Sequence, residues 1–302
     1  MELYAMNKVT IVTDGVCDLS QAMIDEYDVT TAPFRLFFGE EVYRTWHNER
    51  STISLDEFRE KLATVTKENF PKTSIPSPGE ISLAFEEALK KADSVIAIFL
   101  SAAMSGIVQA AQSVVKNNFP DKDITVFDSK QTMSGVGIQA LEAAKMAKAG
   151  KSKKEILDRM ESLNPRVRTI FAMNDLNYLY KGGRIGRAKK LLGSAFNVIP
   201  TVHLKDGIIN ALGTIKGKEA LSKQMKSFCA KIMDQCETSD IMLTHIGHHE
   251  TAQLLYETMI EANGNGVYIH YSEASPIMGV YTGPKTICIS YIGNFDKNWL
   301  VK

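Results

Sequence analysis

The run SVIAIFL, residues 94–100, narrows the fold more than any other stretch of this chain. Every residue after Ser94 is apolar, and nothing alternates. A run of this length is far short of a membrane span and short for a helix, so it reads as a strand covered on both faces. Such a strand needs a helical layer above and below it. The neighbouring chain supplies both. VTIVTD (9–14), FRLFFG (34–39) and ITVFDS (124–129) have strand character, while SQAMIDEY (20–27), SLDEFREKLATV (54–65), ISLAFEEALKKA (81–92), SGIVQAAQSVVKNNF (105–119) and GVGIQALEAAKMAKAG (135–150) have helical spacing. The alternation predicts an α/β fold: a parallel sheet with helices on both sides.

Gly150 followed by KSKKE is the best seam, which divides the chain into an N-terminal α/β domain (1–150) and a C-terminal α+β domain (151–302). Past the seam the rhythm changes. VRTIFAMND (167–175), NVIPTVHLKDG (197–207) and IINALGTI (208–215) read as strands, the last two joined by the Asp206-Gly207 turn of a hairpin. Helices over 217–236 and 249–262 and strands DIMLTHIG, VYIHYS and KTICISYIG complete the second half. Capping boxes open three helices, at Ser54 with Glu57, Ser77 with Glu80 behind Pro78, and Ser152 with Glu155.

Composition excludes some partners. Lys+Arg and Asp+Glu are both 35, so there is no basic excess of the kind that nucleic acid demands. Cysteines stand at 17, 229, 236 and 288 with no CxxC pair, the pattern of free thiols in a reducing compartment. The start MELYAMNKVTIVTDG has no apolar segment of signal-peptide length, and no run reaches bilayer length. The expectation is a cytoplasmic protein without stable membrane insertion.

Three strand ends carry hydroxyls or carboxylates: TDGVCD (13–18), LSAAMSG (100–106) and FDSKQTMSG (127–135). Ligands of open α/β sheets bind beyond the carboxyl ends of strands, and helix starts suit anions. Ser101 and Ser105 serve either as turn and cap residues or as contacts to such a ligand. TSIPSPGE (73–80) sets Thr73 and Ser74 beside two prolines, and LNYLYKGGRIGRAKKLLG (176–193) sets Arg184, Arg187, Lys189 and Lys190 behind a glycine pair. The basic phrase is either a solvated helix or a face for a phosphate or acidic partner. Other chemistry is poorly supported. There is neither GxSxG nor GxxxxGK[ST], and the GxGxxA at 135–140 stands too far past its strand for a dinucleotide turn. His245, His248, His249 and Glu250 in THIGHHE make a weak metal set, and Asp14, Asp18 and Asp128 are explained by caps and turns. No metal or cofactor is expected.

Taken in order, TDGVCDLS, TSIPSPGE, LSAAMSGIVQAA, FDSKQTMSGVG, LYKGGRIGRAKKLLG and VYTGPKT resemble the motifs of the DegV family of bacterial fatty-acid-binding proteins, along nearly the whole chain. The resemblance implies a two-domain fold with a long-chain fatty acid buried between the domains, its carboxylate held by hydroxyls. Thr73 and Ser105 match the family's carboxylate-contacting threonine and serine. Ser74, Ser101, Gly106 and Ile107 stand beside them as pocket candidates. The resemblance also implies that the protein does no chemistry alone, and presents the acid to a fatty acid kinase that makes an acyl phosphate for phospholipid synthesis.

The chain departs from the family pattern at several of these positions. Tyr281 stands where the family has histidine, Ala102 and Ile107 where it has serine and threonine, and Lys285 where it has glycine. Lys216 stands where an arginine implicated in the kinase partnership is often found. Tyrosine still donates to a carboxylate, so Tyr281 joins Thr73 and Ser105 as a head-group candidate. Lys285 is expected to add a cation near the pocket mouth, and Arg184 and Lys216 to face the partner. Two alternatives stay open: an enzyme acting on a small acyl or phosphorylated substrate in the same cleft, and a lipid-sensing regulator.

Overall fold

The computed structural model describes residues 8–46, 50–66, 68–193, 197–264 and 266–300. The first seven residues, to which the leader expectation partly applies, lie outside that set. A parallel four-stranded sheet comes first. It is built from β1 (Val9–Asp14), β2 (Thr30–Ala32), β6 (Ser94–Phe99) and β7 (Asp123–Asp128) in the order β2-β1-β6-β7. A small antiparallel sheet, β4-β3-β5, is inserted between β2 and β6, from β3 (Phe34–Phe38), β4 (Glu41–Thr45) and β5 (Lys72–Ser74). The helices of this part are α1 (Gln21–Glu26), α2 (Leu55–Ala63), α3 (Pro78–Leu89), α4 (Ile107–Asn118) and α5 (Ser134–Lys148).

The rest of the chain forms a six-stranded mixed sheet, ordered β10-β9-β8-β13-β11-β12. Its strands are β8 (Val167–Ala172), β9 (Val198–Lys205), β10 (Ile208–Lys216), β11 (Cys236–Ile246), β12 (Tyr268–Glu273) and β13 (Thr286–Gly293). Only β11 and β12 run parallel; the other pairings are antiparallel. The helices are α6 (Lys153–Leu163), α7 (Asn177–Lys181), α8 (Lys218–Met233), α9 (His249–Glu261) and α10 (Pro276–Thr282). The α/β expectation therefore holds, and the parallel-then-mixed order is the one expected.

The apolar run behaves as its pattern requires. Ile96 and Ile98 belong to the core beneath α5, and Val95, Ala97 and Phe99 to the core beneath α3 and α4. The second sheet divides its faces likewise. Met242 packs with the α5 core, while Ile241 and Leu243 pack with α8 and α9, as side chains that alternate across a strand must. One helix thus serves both sheets. α5 packs on β1 and β6 on one side and on β13, β11 and β8 on the other. It is buried without a break from Ser134 to Leu141, the mark of a helix with no solvent face. The glycines read as GxGxxA are its packing surface, not a phosphate loop. A Cβ on Gly135 would stand 2.1 Å from Thr169 Oγ1, and one on Gly137 2.0 Å from Cys17 O.

Two capping boxes form in full, at Ser77 and Ser152. At Ser54 only half forms: its hydroxyl accepts from Glu57 N, but the Glu57 carboxylate accepts a 2.8 Å bond from Tyr43 Oη instead. All four cysteines are free. Among the described residues, no helix is long and apolar enough to cross a membrane.

Candidate functional site

The three hydroxyl-bearing strand ends do meet at one sheet edge, but mostly they hold each other. Asp14 accepts from Leu100 N and Val16 N, Asp128 from Ala102 N and Lys130 N, and Asp18 from Ser275 N at the start of α10. Ser101 is fully buried and donates to Gly207 O, pinning the tip of the β9–β10 hairpin at 2.8 Å. Ile107 is core.

Burial pushes both Asp14 and Asp18 up to about 7, against backbone hydrogen bonds that favour the charged form. Burial also pushes His203 and His245 down to about 4. These displacements oppose each other in stability. From roughly pH 4 to 6.5 the folded chain holds aspartate protons that the unfolded chain has lost, so rising pH destabilises. Over the same range it lacks histidine protons that the unfolded chain holds, so rising pH stabilises. His248 is also pushed down, by burial first, so below about pH 6.5 the histidine effect is the larger. Above that the unfolded histidines lose their remaining protons and the aspartate effect takes over. Calorimetry is expected to show a Tm that rises gently to about pH 6.5 and falls slightly towards pH 8. A Tm that rises from pH 7 to 8 would show that the buried aspartates are already charged.

Beyond this edge lies a narrow cavity of about 690 Å³, mouth included. All three sheets contribute to it. Phe34 comes from β3, Thr73 and Ser74 from β5, Leu100 from the end of β6, Phe171 from β8, Ile209 from β10, and Ile277, Met278 and Tyr281 from α10. Met104, Met173 and Met278 give the wall flexible, polarisable side chains suited to an irregular apolar ligand. Thr132 and Thr282 also line it, but their hydroxyls are turned to the sulfur and carbonyl of Met278.

The polar groups left over gather together. Thr73 Oγ1 and Tyr281 Oη are 2.6 Å apart, and either can donate. The Arg184 guanidinium lies 5.2 Å from the centre of the Tyr281 ring, within cation–π range. It donates through Nε to Met104 O and through Nη1 to Gly182 O. Ser105 and Gly106 line the same cavity at the start of α4. The glycine motifs explain how this arrangement is held. A Cβ on Gly182 would stand 2.5 Å from the Tyr281 ring, and one on Gly283 would stand 2.4 Å from the Tyr178 ring. Gly183, at φ +71°, makes the left-handed turn that brings Arg184 back over the site.

The structure therefore unites Thr73, Ser74, Ser105, Gly106 and Tyr281 as lining residues and leaves Ser101 and Ile107 outside. Arg184, expected to face a partner, is exposed and also lines the cavity. Lys285, expected near the mouth, lines a different cavity beside His248, because its left-handed backbone (φ +58°) turns away after Gly283. Lys216 is exposed at the end of β10, opposite Val198. The His245–His249 pair is organised by Tyr271 Oη, 3.2 Å from one ring and 2.8 Å from the other. Among the described residues, no group of three His, Cys, Asp or Glu could hold a metal.

Residues 8–294 match the family described as "Uncharacterised protein, DegV family". The chain belongs to the DegV family. A DegV domain-containing protein of Caldanaerobacter subterraneus subsp. tengcongensis is 34% identical over 215 residues, 71% of this chain and 74% of that one. Among solved structures, a DegV family protein of Thermus thermophilus, described by its fatty-acid binding, has a TM-score of 0.82 at 29% identity. The similarity covers 95% of this chain and 100% of that one. DegV of Bacillus subtilis, described as a fatty-acid-binding protein, has a TM-score of 0.78 at 26% identity over the same shares. DegV structures thus bind fatty acids, and the motifs that suggested the family are those that line or brace the cavity here.

Proposed function

We propose that this DegV chain binds a long-chain fatty acid in the cavity, between an N-terminal unit (1–150) and a C-terminal unit (151–302). The carboxylate is held at Thr73, Ser105, Tyr281 and Arg184. The observation that carries this reading is the meeting of the Thr73 and Tyr281 hydroxyls, with the Arg184 guanidinium over the same tyrosine ring, on the wall of a cavity otherwise lined mostly by apolar side chains. Burial of the acyl chain contributes about 0.8 kcal/mol per methylene, and the polar cluster fixes orientation. Native mass spectrometry of freshly purified protein tests it. The expected result is a bound aliphatic acid; a chain loaded only with a sugar phosphate would favour an enzyme instead.

The reading extends to a partner kinase in the cytoplasm that converts the presented acid to an acyl phosphate, with Lys216 on the partner face. Its support is the motif resemblance. Arg184 belongs to the head group in this reading. Tyr281→Phe should weaken lipid binding by about 0.5–3 kcal/mol, the span from a neutral to a charge-assisted hydrogen bond. Titration of a long-chain acid into parent and variant measures it. Equal affinities would mean that the tyrosine only packs against Gly182 and Arg184.

A further inference from the structure

β8 separates two cavities. Phe171 lines the first and Ala172 a second, of about 1920 Å³ including its wide mouth, as neighbours on a strand face opposite ways. The second cavity is basic. Lys218, Lys285 and Arg59 line it, against Glu250 and Glu273. Arg59 and Glu273 are taken by each other, and Glu273 also accepts from Gly247 N. The two lysines are different. Among the described residues, neither has a carboxylate within ion-pair distance or a side-chain hydrogen bond.

Both lysines act on a single group. Burial first, then Lys285, then Lys218 push the His248 imidazole below its ordinary proton affinity, with Glu250 opposing. His248 therefore meets a ligand as a neutral ring with an N–H to give. Lys285 sits at φ +58°, a conformation that favours glycine. Lys218 and His248 also mark the starts of α8 and α9, whose first amides no side chain caps. Val198, Ile199 and Leu221 form an apolar wall.

We propose that this second cavity binds a phosphate monoester, with the phosphoryl oxygens on Lys218, Lys285 and His248 and the organic part against Val198, Ile199 and Leu221. Unpaired ammonium groups and a neutral N–H donor match an oxyanion with several acceptor atoms. The apolar wall would favour an ester over the bare ion. Nothing in this proposal depends on fatty-acid binding in the first cavity.

Phenyl phosphate, titrated calorimetrically into the full chain at fixed ionic strength, is the probe. One saturable site is expected, with inorganic phosphate competing more weakly. Lys285→Gly, which suits the local backbone, and Lys218→Gln, on the surface, should each weaken phenyl phosphate by about tenfold or more. Fatty-acid affinity should stay unchanged in both. Absence of saturable binding by the parent overturns the proposal, as does undiminished binding by both variants.

Discussion

Thr73→Ala combined with Ser105→Ala is expected to weaken long-chain fatty-acid binding by more than about tenfold while leaving the fold intact. A hydrogen bond to a charged group is worth roughly 1.5–3 kcal/mol, so losing two exceeds the factor of ten even if they are only partly additive. The structure gives reason to expect little collateral damage. Thr73 contributes its backbone, not its hydroxyl, to the pairing of β5 with Leu36. The Ser105 hydroxyl makes only a 3.4 Å contact to Ile107 N, and the chain there is also held by Ser105 N on Ser101 O. Displacement of a fluorescent fatty acid measures the affinity, and circular dichroism checks the fold. Thr73→Ser alone should restore most of the binding, since it keeps the donor. Parent-like affinity in the double variant would move the carboxylate away from these hydroxyls.

Gly137→Ala is expected to destabilise the chain by about 3 kcal/mol or more, the upper end for an overpacked interior. Two effects compete. Alanine favours a helix over glycine by about 0.8–1 kcal/mol. Against this, the new methyl would stand 2.0 Å from Cys17 O, 3.1 Å from Cys17 C and 3.2 Å from Met242 Sδ. The first two are backbone atoms at the end of β1 and cannot swing aside as a side chain would. The steric term wins, and either α5 or the β1 loop must move. Urea unfolding of parent and variant gives the difference. A variant as stable as the parent would show that α5 does not pack this closely on the loop.

Most of the frame was legible because its signals are local. The unbroken apolar run of β6, the Asp-Gly turn between β9 and β10 and the serine caps of α3 and α6 each depend on a few adjacent residues. What escaped was small or fully enclosed. β5 is three residues long, so Thr73 and Ser74 read as loop although they form an edge strand. α10 has seven residues, nearly all buried, so it shows no polar face and no period; the Ser275-Pro276 pair was its one signal. Thr73, Ser105 and Tyr281 became head-group candidates through motif resemblance, and all three line the cavity. The apolar wall was not found that way, because residues such as Phe34, Met173 and Ile209 look like any core residue until the sheets are assembled. The positions of Arg184 and Lys285 turned on single left-handed residues, Gly183 and Lys285 itself, which spacing does not reveal.

The shared helix limits how the two sheets can part to admit the proposed lipid. A clam-shell motion that parted the two sheets would peel α5 from one of them. It would bring Val136, Ile138 and Leu141 towards water, at about 1.5–3 kcal/mol for each side chain fully exposed. It would also break the internal chain of hydroxyls from Ser134 to Ser290 and on to Thr169, far from any solvent that could replace those bonds. Rigid-body hinging is therefore the expensive route. β5, the Met104–Gly106 turn and α10 line the cavity without being part of α5. Under the proposed fatty-acid reading, exchange is expected to proceed by local movement of these pieces at the rim, so that substitutions there change the rate of ligand release more than they change global stability.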